Sequence, residues 1–204
     1  CAYIYNPLKE AAIYFFYLLG FGIFIYYSKF FTLSFLSKKY ILGLYVATCG
    51  IALFNIYAHL HVFPPLSDIN SFHLDALIIN LYLQKDFGHF IDLILLPGGI
   101  KIPTHLTEPI YSMGHWGNIS NYFIVRIYAI IIFISSPNLY VISLFFGFLS
   151  FVGKYLLFLF FQQKITQKAH AITLLLVCFF IPNEAFWTAS MHKETMLLLS
   201  VGIA

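Results

Sequence analysis

Two short stretches of this 204-residue chain gather the residue types that chemistry needs. The first is Ser67-Asp68-Ile69-Asn70-Ser71-Phe72-His73-Leu74-Asp75-Ala76, directly after a long apolar run. Asp68 would lie within a few residues of a bilayer surface, where low dielectric can hold a carboxylate as a base. The same residues also read as a helix start. Ser67 or Asp68 would cap a helix over 69–83, in which Ile69, Phe72, Ala76, Ile79 and Leu83 keep rough helical spacing. The two readings are compatible. The second stretch runs from Pro182 to Glu194 and holds Glu184, Trp187, His192 and Lys193. Taken alone it is an interfacial loop: Trp187 in the aromatic belt, Lys193 at the headgroups, and Glu194 on the positive end of the next helix.

Seven of the eight histidines, His59, His61, His73, His89, His105, His115 and His192, fall on or near the face expected to lie outside. Residues two apart on a helix point away from each other, so His59 and His61 do not pair, and no HExxH or comparable zinc spacing occurs. A hard divalent ion on Asp68 and Glu194 beside a phosphate is the metal reading that remains. Cys49 and Cys178 sit inside apolar runs as packing residues, and no disulfide is expected. Gly98-Gly99 and Gly114–Gly117 read as turns, because no phosphate-loop motif follows them.

The elements that must position these groups are membrane helices. Hydrophobic residues make up 61% of the chain and charged residues 9%, against roughly 25% charged in a soluble domain. Crossing the hydrocarbon core takes about 20 apolar residues. The apolar runs predict spans at 11–28, 40–63, 138–161, 169–182 and, cut short by the end of the sequence, 194–204. None alternates as a β-barrel strand would. The expected fold is an all-α, polytopic transmembrane bundle forming one domain, with an outer loop over 63–137 that carries membrane-lying helices.

Charge is sorted between the spans. Residues 28–39 and 162–169 hold Lys29, Lys38, Lys39, Lys164 and Lys168 and no acid, while all eight acids lie elsewhere. Lysine excess marks the cytoplasmic side. Residues 63–121 carry five acids (Asp68, Asp75, Asp86, Asp92, Glu108) against Lys85 and Lys101, a formal −3, and are expected outside. Residues 121–135 could cross or lie flat. Lying flat keeps all five lysines on one side and spares Arg126 a mid-span position, so an interfacial helix is expected. Lys154 would extend its head to the inner headgroups. The start at Cys1 and the stop inside an apolar run suggest an N-terminal fragment.

This order of elements resembles the N-terminal half of the GT-C glycosyltransferases, polytopic enzymes that use polyprenyl-phosphate sugars. In both, an outward helix is followed by an acid and a long outer loop with membrane-lying helices. An inward helix, an outward helix and a second acid at the start of the next complete the pattern. The resemblance covers about residues 40–204, and the layout is similar to that of the mannosyltransferase and aminoarabinose-transferase branches. The segment FIPNEAFWTASMHKETMLLL is also similar to a stretch of bacterial membrane proteins related to that fold. Two departures stand out: the second acid is a Glu beside Lys193, and the first helix is additional.

The resemblance implies that Asp68 and Glu194 are catalytic, with Asp68 the base that deprotonates an acceptor hydroxyl. Arg126, Lys193 or a metal on Glu194 would hold the departing phosphate, and His73 and Asp75 would contact substrate. Asp68 and Glu194 would then face one cavity within roughly 15 Å, given reacting distances of about 3 Å. The expected partners are a lipid-linked sugar donor and membrane lipids, with no nucleic acid. The expected location is the bacterial inner membrane, and the role is polysaccharide or cell-envelope biosynthesis. The one cofactor candidate is a divalent metal ion. The alternative is a transporter, flippase or polymerase of polysaccharide intermediates. A transporter should carry ionisable residues at mid-membrane in broken helices, and the apolar runs hold almost none.

Overall fold

A computed structural model describes residues 6–63, 68–99, 102–165 and 167–203. Expectations on Cys1, Pro64, Pro65, Ser67 and Lys101 lie outside them. The described residues are helical apart from turns and an isolated bridge between Leu33 and Leu36. The helices are α1 (Pro7–Tyr27), α2 (Lys38–His61), α3 (Asp68–Lys85), α4 (Phe87–Leu95), α5 (Thr107–Tyr111), α6 (Ile119–Ile134), α7 (Leu139–Gln162), α8 (Lys168–Phe180), α9 (Pro182–Thr188) and α10 (Lys193–Ile203).

Three helices, α1, α2 and α7, are long and apolar enough to cross a membrane, and α8 with α9 makes a fourth if that pair is one span. The pair bends by 54° at Ile181–Pro182. Proline suits the first position of a helix, where its missing N–H is not needed. Pro182 therefore starts α9, and the loop expected over 183–193 is helical as far as Thr188. Residues 189–192 form a turn, buried as far as Met191 and tied to α10: Thr195 Oγ1 lies 2.6 Å from the Thr188 carbonyl and 2.5 Å from that of Ser190.

The chain divides into two compact units, one made of residues up to 58 and from 143 onward, the other of 59–142. The first is an aromatic-rich helical unit. Ile25, Phe31, Tyr45, Phe151, Tyr155 and Phe179 belong to its core. Phe21 and Phe148 stack at 4.3 Å, and Phe151 meets Tyr45 at 5.6 Å edge-on. Close helix approach depends on small residues, as is usual where lipid removes the hydrophobic drive between helices. A Cβ on Gly147 would come within 3.1 Å of the Ala52 Cβ and 3.2 Å of the Cys49 Cα, so α2 and α7 nearly touch there. Gly153 and Gly202 do the same for α7 and α10. The Lys38 ammonium donates to the carbonyls of Ile25 (3.4 Å) and Ser28, at the negative end of α1.

Lys154 does not reach toward headgroups. It is 1% exposed, and its Nζ has no hydrogen-bond partner among the described residues. Ser150, Phe151, Tyr155 and Phe158 are buried with it. That helical stripe is the packed face of α7, which points the stem inward.

In the second unit α3 packs on α4 and α6. The spacing expected of α3 holds: Ile69, Phe72, Ala76 and Ile79 are buried. Helix α6 has 16 residues, about 24 Å of helix, short of a ~30 Å hydrocarbon core. The two glycine turns meet each other. Gly99 has φ +76°, and its N–H donates to the Trp116 carbonyl at 2.7 Å. Gly98 has no room for a Cβ, which would lie 2.7 Å from that same oxygen. Both positions require glycine.

Candidate functional site

The polar centre of the second unit is Asp75. It lies on the buried stripe of α3 with Phe72, Ala76 and Ile79, and is 4% exposed. A carboxylate there must be bonded, since a lone buried charge is strongly unfavourable. Three donors from the turn 114–115 meet it: the Gly114 N–H at 3.1 Å, the His115 N–H at 2.9 Å and His115 Nδ1 at 2.8 Å. The carboxylate accepts, so Nδ1 carries a proton, and in the neutral form of the ring the lone pair is then on Nε2. This imidazole and the Phe72 ring meet edge-to-face, 4.7 Å between centroids. The arrangement is an oriented histidine whose tautomer an acid fixes, suited to accept a proton at Nε2.

Asp68 stands two helical turns before Asp75 on the same face, about 10 Å away along the axis. It is exposed, in the first turn of α3, where the helix dipole favours negative charge. Ser71 Oγ donates to its backbone carbonyl at 2.8 Å. His73 faces elsewhere: its Nε2 donates to the Pro137 carbonyl at 2.6 Å. Burial lowers its pKa from the ordinary 6.5, opposed by that backbone bond, so the ring is neutral near pH 7.

Arg126 belongs to α6. Its Nη1 donates to the Ile94 carbonyl at 3.1 Å, in the last turn of α4, where a cation offsets the dipole. The guanidinium lies 5.6 Å from the Tyr122 ring and 5.7 Å from that of Phe123. Tyr122 donates its hydroxyl to the Leu93 carbonyl at 2.7 Å. Arg126 Nε is buried without a partner among the described residues.

Lys193 and Glu194 belong to the other unit, where both open α10. Lys193 is exposed, Glu194 half-buried, and the acid sits at the positive end of its helix. The sequence-predicted residues therefore form two sets: Asp68, His73, Asp75 and Arg126 in one unit, Lys193 and Glu194 in the other. Among the described residues no three His, Cys, Asp or Glu gather as metal ligands.

His115 was not singled out from sequence as the partner of Asp75. The signal was an acid on an apolar stripe, which demands a donor. Which donor could not be read, because the two lie 40 residues apart. Comparison with known protein families, curated proteins and solved structures gives no match.

Proposed function

We propose that the protein is a polytopic membrane transferase of the GT-C kind, moving a sugar from a polyprenyl-phosphate donor at the outer face of a bacterial inner membrane. The observation that carries this reading is the division of labour between two acids on one face of α3. Asp75 is consumed in orienting His115, whereas Asp68 is exposed and can take a proton from an acceptor hydroxyl. Asp75 then acts as a positioning residue for a second proton acceptor, His115 Nε2. Arg126 retains N–H groups beyond the one that holds Ile94 and is a candidate in this unit to bind an anionic oxygen. The chemistry asked of the protein is general base catalysis plus charge stabilisation at the leaving phosphate.

The test is transfer by the reconstituted protein from a set of polyprenyl-phosphate sugars, followed by release of polyprenyl phosphate. Asp68→Asn keeps the shape and removes the base, and is expected to lower turnover by about 10²–10⁴-fold with unchanged folding. Undiminished turnover would leave Asp68 a helix-terminal residue only. Glu194→Gln tests the second acid separately.

One observation favours the transporter alternative. Lys154 is buried in α7, and α8–α9 is a broken helix with Glu184 in the first turn after the break. Buried ionisable groups and interrupted helices are features of transport pathways. Uptake or flipping of lipid-linked sugar by proteoliposomes, lost in Lys154→Met while Asp68→Asn is silent, would favour it.

A further inference from the structure

The lysine-rich stretches have a feature that neither acid explains. A cleft of about 550 Å³ lies in the first unit, between the start of α2 and the start of α8. That volume suits a specific small-molecule site. Its walls are apolar, with Leu36, Leu44, Ile172 and Leu175 among the lining residues. Lys39 and Lys168 line it too, and both are exposed and unpaired by any acid among the described residues. Tyr40, 67% exposed, stands beside them.

The neighbouring Lys38 has a different task, since its ammonium is held by the carbonyls of Ile25 and Ser28. Lys39 is left to serve the cleft. Helix α8 starts at Lys168, and Gln167 before it makes no side-chain capping bond, so the helix end adds to the positive potential of the lysines. The stretches 28–39 and 162–169 contain no acid. An apolar slot with two cations and no anion at its polar residues fits an amphiphile of opposite charge.

We propose that this cleft holds one anionic phospholipid, its acyl chain along α2 and α8 and its phosphate between Lys39 and Lys168. This inference does not depend on the transfer reading. Basic pockets between membrane helices select anionic headgroups, and each lysine near the surface contributes about fivefold in binding, or roughly 30-fold for the pair.

The experiment is native mass spectrometry of the purified full chain from nanodiscs of phosphatidylglycerol and phosphatidylcholine with matched acyl chains. The wild type is expected to retain one phosphatidylglycerol in preference to phosphatidylcholine. K39Q with K168Q is expected to reduce that preference roughly 30-fold, whereas K29Q with K164Q leaves it. Gly43 lines the cleft, and a Cβ there would meet no atom within 4 Å. A side chain at this position starts in open space, so Gly43→Leu is expected to occupy the slot and abolish retention while helical content and melting are unchanged. It carries the test if the double lysine variant does not fold. Equal retention of the two lipids, an undiminished preference in K39Q with K168Q or in Gly43→Leu, or an equal loss in K29Q with K164Q would overturn the proposal.

Discussion

The two units of this chain hold themselves together by different means. In the unit of residues 59–142 the side chains of Asp75, His73, Asn80, Tyr122 and Arg126 each bond a backbone group. In the other unit the core is stacked and edge-on rings, with helices brought close at glycines. Buried polar atoms without partners among the described residues occur in both units: Ser150 Oγ, Asn55 Oδ1 and Lys154 Nζ here, Trp116 Nε1 and Arg126 Nε in the other. The first pattern fixes a unique polar geometry, as a reaction site requires. The second is what helices use where lipid replaces water, and shape rather than burial sets their packing. The Asp75–His115 pair and the bulk of the helices long and apolar enough to cross a membrane thus belong to different units.

The sharpest way to break this contrast is to remove the anchor of the polar unit. Asp75→Ala leaves the Gly114 and His115 N–H groups without their acceptor and frees the imidazole. It is expected to destabilise that unit by about 2–5 kcal/mol, read by thermal or denaturant unfolding. A loss below about 0.5 kcal/mol would mean that the three bonds do not organise the unit. Asp75→Asn, which keeps acceptor capacity in one oxygen, should lie between.

The next effect belongs to the apolar unit. Gly147→Leu would drive a side chain into Ala52 and Cys49 and push α2 from α7, an overpacking loss of about 1–3 kcal/mol. Gly43→Leu, into open space, should lose nothing. Equal behaviour of the two would contradict a glycine-set helix contact.

The smallest effect is a pH dependence confined to the polar unit. His73 has its pKa lowered by burial, so the unfolded chain binds its proton more readily than the folded one. The stability tied to the neutral ring is complete above about pH 6.5 and declines as pH falls through the lowered native value. Melting followed from pH 7.5 to 5 should show that decline, flattened in His73→Gln, which retains a donor for the Pro137 carbonyl.

The sequence was informative where periodicity and composition act locally. The apolar runs located α1, α2, α7 and α8 within a few residues of their ends, and the stripe of Ile69, Phe72, Ala76 and Ile79 gave α3 its buried face. Three features were not legible for physical reasons. Pro182 closes the span expected over 169–182, yet proline also suits the first position of a helix, and the chain uses it to start α9. Lys154 has a stem long enough to extend outward or inward, and the packed stripe of α7 turns it in. The Asp75–His115 pair depends on a turn that returns to α3 across 40 residues, and local patterns do not encode that separation.

The central proposal is that residues 63–121 lie on the outer side of the membrane and the lysine-bearing stretches 28–39 and 162–169 on the inner side, as their charges suggest. Cysteine labelling in intact cells tests it most directly. With the native cysteines replaced, Glu108→Cys in the polar unit and Gln163→Cys after α7 are treated with a membrane-impermeant maleimide. The account expects Cys at position 108 to label from outside and position 163 to label only after the membrane is opened. Labelling of position 163 in intact cells, with position 108 protected, would contradict it and remove the outer-face site on which the transferase reading depends.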